Sequence, residues 1–213
     1  PLYCIGKPEH QCIHLAGGIA HIVEENGVRR LKEQHCHQHE SLPDVRVHLK
    51  RQEVELVEFH TALVRRDVFD KLGPLDERLY NSRQHIDLCL SVRAAGGSVF
   101  FEPDSVLTYV PPPPFARSDL FYYMLCWSDQ WCEATVLYFN EKWKVEGGNL
   151  RAIEDWTRPH RRVIFQGFEN GAAKIVGRRA AKSLTKRVAR VTEAFVIPHA
   201  LKRSRGFAPP KAS

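Results

Sequence analysis

The sequence predicts a mixed α/β domain followed by a basic helical tail, and three observations carry that prediction. Short apolar strands and short helices intermix over the front of the chain, the order expected of an α/β domain with a mixed sheet. Glycine pairs and an Asn-Gly step punctuate those segments at strand lengths. From Asn149 onward the chain holds fifteen Lys and Arg against four acids, at helical rather than strand spacing. The expected division is therefore 1–147 for the α/β domain and 148–213 for a basic helical extension, partly disordered. Residues 1–60 do not supply the run of β-α-β units that opens a doubly wound domain, so the sheet is expected to be incomplete.

Taken in order, "PLYCIG" reads as a strand running into a loop, and "QCIHLAGGIAHIVEENG" as a β-rich excursion broken at Gly17-Gly18 and turned at Asn26-Gly27. "EQHCHQHESLPD" is polar and reads as a loop. "ELVEFHTALVRR" alternates Val57, Phe59, Thr61 and Leu63 with Glu58, His60 and Ala62. This is the period of a half-buried strand, with Glu58 and His60 side by side on its polar face. "RRDVFDKLG" is a short helix that Asp67 can cap and Gly73 can end. After a turn-rich loop, Ser82 can cap a helix beginning near Arg83. Ile86, Cys89, Leu90 and Val92 form its apolar stripe, and Gly96-Gly97 stops it. "SVFFEP" and "SVLTYVPPPP" are strands, the second ended by four prolines that cannot continue a ladder. One or two aromatic-rich helices follow, with Trp127, Trp131, Tyr138, Phe139 and Trp143 expected in the core. The tail is helical until Pro198 interrupts it, and its last dozen residues have a disordered composition.

Composition excludes several classes. Apolar and charged fractions are those of an ordinary soluble domain, and no apolar run reaches the roughly 18 residues of a membrane span. The opening has no signal-peptide pattern and no Met, as expected for a segment of a larger protein. Six cysteines stand without a Cys-x-x-Cys pair, which argues against a zinc ribbon or thioredoxin motif and for a reducing compartment. The net charge of +6 belongs to the tail, which gives a route to peripheral contact with an anionic membrane from a cytoplasmic location. No nucleic-acid motif accompanies it, so no specific nucleic acid is expected.

Four groups of residues could carry chemistry. His85 and Asp87 stand at the mouth of a helix, where a base can meet a hydroxyl nucleophile and where an acid also simply stabilises the first turn. Glu58 and His60 are either a surface ion pair or, facing a cleft, ligand contacts. Asp76 and Glu77 follow a Gly-Pro turn and are either solvated turn residues or grips for substrate hydroxyls. His35, Cys36, His37 and His39 could ligate a metal, but they crowd into five residues with no second half in view, so no metal site is expected from them.

The stretch from Phe59 to Pro113 resembles the C-terminal half of family 2 glycosyltransferases of the GT-A fold. In that pattern a strand leads into Arg-Arg and then Gly-x-Leu-Asp-Glu, met here by Arg65-Arg66 and by Gly73 to Glu77. An acidic helix, a glycine and a strand ending in proline follow. Residues 56–114 are well covered, 1–55 and 115–145 more weakly, and the tail after about 148 not at all. The resemblance implies an incomplete GT-A-like mixed sheet and inverting transfer of a sugar from a nucleotide-sugar donor to the hydroxyl of a glycan or lipid-linked acceptor. The family's Glu-Asp pair is Gln84-His85 here, and Asp87 matches its second acid, so either His85 or Asp87 is implied as the base. Glu58, His60, Asp76, Glu77 and Arg93 are implied on the acceptor side. The family's helix arginine falls at Ser91, and its strand-end histidine is Tyr109. Its divalent metal, Mn or Mg, is held by an Asp-x-Asp motif that does not occur in these 213 residues. The implied chain is thus the acceptor-side portion of such an enzyme. The rival readings are a non-catalytic carbohydrate- or partner-binding remnant, and a basic interaction protein of membrane or nucleic acid.

Overall fold

The computed structural model of the chain describes residues 1–203 apart from 8, 10, 111–115 and 148–149. Strand β1 (Leu2–Ile5) pairs antiparallel with β2 (Cys12–Leu15) and parallel with β7 (Val106–Tyr109), so this small sheet is mixed. The Gly17-Gly18 step then lets the chain turn closely onto its neighbours. A Cβ on Gly18 would stand 2.6 Å from the backbone oxygen of Gln34, a distance only glycine avoids. Strands β3 (Gly18–Glu25) and β4 (Val28–His35) form a hairpin paired over its full length. Its turn is Asn26-Gly27 with φ of 54° and 76°, the left-handed pair that a two-residue hairpin turn requires. Helix α1 (Leu42–Val45) is a single turn, and β5 (Gln52–Val54) pairs with β6 (Val99–Phe101).

The strand expected over 55–66 is not there. Beyond β5 only Leu56 makes a further bridge, to Gly18, and the chain then turns through 59–61. The alternation misled because the segment does not present one apolar face: Leu56 and Glu58 are buried while Leu63 is fully exposed. Helix α2 (Arg66–Leu72) ends at Gly73 with φ 80°, as the sequence indicates. Its cap is Arg65 rather than Asp67, whose carboxylate instead accepts two hydrogen bonds from the Arg65 guanidinium.

Helix α3 (Gln84–Ala94) begins one residue later than expected. Its cap position is Arg83 in the left-handed region (φ 67°), not Ser82. Ile86, Cys89 and Leu90 are buried, and Val92 packs beside them, so the stripe is as read. Each such apolar side chain stabilises by roughly 1.5–3 kcal/mol when fully buried. Gly96 (φ 77°) and the bond from Gly97 N–H to the Val92 carbonyl close the helix. In β6 Val99 and Phe101 point inward and Phe100 outward. The prolines expected to end β7 lie in a stretch outside the described residues.

Two helices carry the aromatic segment, α4 (Leu120–Cys126) and α5 (Asp129–Trp143). Trp131, Tyr138 and Phe139 are buried, as expected for core, whereas Trp127 and Trp143 are only half-buried. Helices α6 (Leu150–Val163), α7 (Gln166–Val176) and α8 (Arg178–Arg203) complete the chain. Helix α8 runs through Pro198 without a break. Ile197 and Ala200, on either side of the missing N–H, are both buried and hold the turn in place. The disorder expected of the last residues falls mostly outside those described.

The backbone groups into two units: residues 1–112 with 138–147, and residues 113–137 with the chain from 148 onward. The first holds the strands and one core of Tyr3, Leu15, Leu56, Ile86, Cys89, Leu90 and Phe139 among others. The second is helical. Within it the buried Arg161 guanidinium donates to Asp129 at 2.8 Å and to the Trp127 carbonyl at 2.7 Å, and α8 packs along α4 and α7. Among the described residues no helix is long and apolar enough to cross a membrane.

Candidate functional site

Burial of Ile86, Cys89 and Leu90 fixes the rotation of α3 about its axis, and that rotation decides where His85 and Asp87 go. Residues two apart on a helix do not face each other. His85 and Asp87 therefore serve opposite flanks of the helix mouth rather than acting as a couple.

On the His85 flank, side chains from four other segments gather. His85 Nδ1 stands 3.9 Å from the Glu58 carboxylate, and His60 Nδ1 stands 3.5 Å from the same oxygen. The other Glu58 oxygen lies 3.9 Å from His14 Nε2, on β2. Strand β4 brings Glu33 and His35, which are two residues apart on a strand and hence on one face. Glu33 meets His35 Nε2 at 3.3 Å and accepts a hydrogen bond from Arg83 at 2.5 Å. The His14 and His35 rings meet edge to face at 5.8 Å. Tyr109, at the end of β7, places its ring 4.8 Å from that of His60.

The cluster mixes charge with burial. Burial pulls His85 below the ordinary histidine range, and Glu58 and Glu33 only partly oppose it. Burial likewise lowers His14. His35 is raised, chiefly by its bond to Glu33. Glu58 is buried, which pushes its carboxyl up, but the hydrogen bond from His60, the charge of His85 and the Phe59 N–H outweigh this and leave it at about 2. For Glu33 the same desolvation is outweighed by His35 and Arg83, again to about 2. Two anionic carboxylates thus face a desolvated imidazole whose Nε2 is buried and has no hydrogen-bond partner among the described residues. Nδ1 of His35 is in the same condition.

On the Asp87 flank the carboxylate is fully engaged. Asp87 is buried and accepts hydrogen bonds from Lys142 Nζ and from the Trp143 indole N–H, each at 2.8 Å. Lys142 also reaches Asp76 at 3.1 Å, and Asp76 accepts from the Tyr138 hydroxyl at 2.6 Å and from Arg78. The Arg78 guanidinium lies 3.9 Å over the Tyr138 ring. Desolvation of Asp76 is overcome by these donors, which hold it at about 2, and burial with the Asp76 bond pushes Tyr138 up to about 12. An open cleft of about 600 Å³ runs beside this network, lined by α2, by residues 73–78 and by Asp87, Ser91 and Lys142. Glu77 is exposed on its wall.

The residues singled out in the sequence thus separate. Glu58, His60 and His85 come together, but through an irregular segment rather than on an exposed sheet face, and Glu58 is buried. Asp76 and Asp87 share Lys142, with Glu77 nearby. Arg93 joins neither group: it donates to the Ala20 carbonyl and to Glu55, each at 3.0 Å, and ties α3 to the hairpin. His14 and Glu33 were missed, and so was Lys142. The pair Glu33 and His35 was legible from strand alternation once β4 is extended to His35. For Lys142, inside an aromatic helix, no local signal exists. Of the histidine run only His35 joins a group of possible ligands, with Glu33 and His85, while Cys36, His37 and His39 stay outside it. Comparison with family models, with curated proteins and with solved structures gave no match.

Proposed function

We propose that the chain carries the acceptor side of an inverting glycosyltransferase of the family 2 type, with His85 as the general base. The observation that supports this reading most is convergence. His85 at the base position, Tyr109 at the strand-end position, and Glu58 and His60 from the strand-side segment meet at one place from three distant parts of the chain. Glu58 faces Nδ1 of His85 and would stabilise the imidazolium formed there. Nε2 is the atom left to accept the proton. In the reaction the acceptor hydroxyl gives its proton to His85 as its oxygen attacks the anomeric carbon. The bond from that carbon to the donor phosphate breaks on the opposite face, and the nucleoside diphosphate leaves with the electron pair. Asp87 is assigned a positioning role, because both its oxygens are held by Lys142 and Trp143. Glu77 and the cleft it lines lie on the Asp87 flank, away from His85, and are assigned to acceptor contacts remote from the reacting hydroxyl.

In the resembled family a divalent ion neutralises the departing diphosphate. The imidazole-rich donor set of this chain does not fit that ion, which takes oxygen ligands, and no Asp-x-Asp occurs, so no step is assigned to it. The test is sugar transfer measured with a donor-binding half supplied ahead of Pro1. His85→Gln should lower kcat by about 10²–10⁴-fold, while Asp87→Asn, at a positioning residue, should lower it far less in its folded fraction. Full activity in His85→Gln would end the assignment.

A second reading rests on the helical unit. Ile175, Phe195 and Val191 are exposed at 86, 76 and 58 % on helices rich in Lys and Arg, a pattern suited to an anionic lipid surface. Co-sedimentation with anionic vesicles that weakens with salt would support it, and equal binding to neutral vesicles would count against it.

A further inference from the structure

We propose that Glu33, His35 and His85 form a zinc-binding site, in which one carboxylate and two imidazoles hold a Zn²⁺ ion with a position left for a fourth ligand. One oxygen of Glu33 and one nitrogen of each histidine all lie within 4.8 Å of one another. Each comes from a separately supported place: Glu33 and His35 from the β3–β4 hairpin, and His85 from the first turn of α3. A bound ion draws such donors to about 3.3 Å apart, the spacing of tetrahedral ligands that sit about 2.0–2.1 Å from zinc. Side-chain rotation on the ends of two fixed elements covers that difference.

Two independent features point to a ligand. Nδ1 of His35 and Nε2 of His85 are buried with no hydrogen-bond partner among the described residues, and an orphaned buried nitrogen is costly unless something completes it. The supporting groups around the donors are also those a metal site uses. Arg83 holds a Glu33 oxygen, and Glu58 faces Nδ1 of His85, as outer carboxylates orient ligating imidazoles. The fourth position is left to water, with Glu58 and His14, 3.9 Å apart, behind the ligating residues. Two imidazole nitrogens and one carboxylate select zinc or a neighbouring transition ion over Mg²⁺ or Ca²⁺, which prefer all-oxygen sites.

Zinc at this site takes the lone pair of His85. On the reading of His85 as a base, an occupied site withdraws the base, and zinc inhibits transfer. That consequence rests on the proposed function; the binding itself does not.

The test titrates the full chain with Zn²⁺ against a chromogenic chelator, without sugar or donor, and repeats the titration with Co²⁺ while recording its visible absorption. One equivalent should bind, with the intense bands of a four-coordinate ion, and excess Mg²⁺ should not displace it. His85→Gln, His35→Gln and Glu33→Gln should each weaken binding by about 10–100-fold. His37→Gln and His39→Gln should leave it unchanged, because these residues lie outside the cluster. Far-ultraviolet circular dichroism checks that each variant is folded. If His85→Gln fails that check, His35→Gln and Glu33→Gln still decide. Undiminished affinity in folded His35→Gln and Glu33→Gln, loss of binding in His37→Gln or His39→Gln, or no binding to the wild type would each overturn the site. Because binding is read without catalysis, a failed transfer assay leaves this result standing, and a failed titration leaves the transfer assay standing.

Discussion

Helix α3 sends the two residues of one His-x-Asp step to opposite flanks, and the flanks differ in how fully their polar atoms are satisfied. Around Asp87 both carboxylate oxygens, the Lys142 ammonium and the Tyr138 hydroxyl have partners at 2.6–3.1 Å. Around His85 the nearest opposite charge is 3.9 Å away, and two imidazole nitrogens have no partner among the described residues. A closed polar network buried at a helix mouth stabilises; an incomplete one is where a proton or a ligand can enter. The difference teaches that sequence proximity of two functional residue types says little about partnership until the helix rotation is known.

The comparison breaks most readily at Asp87. Replacing it with Ala leaves the Trp143 indole N–H without its acceptor and takes from Lys142 one of its two carboxylates, and should cost about 2–3 kcal/mol in urea unfolding. His85→Gln, on the open flank, should cost under about 1 kcal/mol. Equal losses would mean that the flanks do not differ. Acid comes next. Glu58 and Glu33 have folded values of about 2 against an ordinary 4.5, so the stability they contribute is complete above pH 4.5 and is lost as pH falls toward 2. The share of Glu58 is on the order of 2 kcal/mol after allowance for its remaining solvent contact, and Glu58→Gln should flatten the acid limb of a stability–pH curve. Tyr138→Phe removes one donor to Asp76 and should cost about 1 kcal/mol in the same unfolding assay. Glu77→Ala, on the exposed cleft wall, should change stability by less than about 0.5 kcal/mol, so any loss of acceptor binding in that variant reports on contact and not on folding.

Much of the scaffold was legible because it rests on local chemistry. Asn26-Gly27 demands a hairpin whatever surrounds it, and the stripe of Ile86, Cys89, Leu90 and Val92 with Gly96-Gly97 demands a helix of about the observed length. The misreadings occur where tertiary context decides. Residues 55–66 carry a strand period, but pairing is exhausted at Leu56, and Glu58 is turned inward toward His14 and His85, both remote in sequence. Pro198 reads as a break, yet burial of Ile197 and Ala200 carries α8 through it. The candidate site was half legible. His85, Glu58 and His60 were visible as chemistry. Glu33 and His14 became relevant only when the hairpin and β2 brought them together, and the engagement of Asp87 depends on Lys142, more than fifty residues further along.

The central claim is that burial, opposed by Glu58 and Glu33, sets the environment of His85, and that Asp87, two residues away, does not. Titration of the His85 imidazole by NMR, in the wild type and in Asp87→Asn and Glu58→Gln, tests it directly. The wild-type value should lie below 6.5, stay in place when Asp87 is neutralised, and fall further when Glu58 is neutralised. A value that drops with Asp87→Asn and ignores Glu58→Gln would contradict the account and restore the His-x-Asp pair as a single unit.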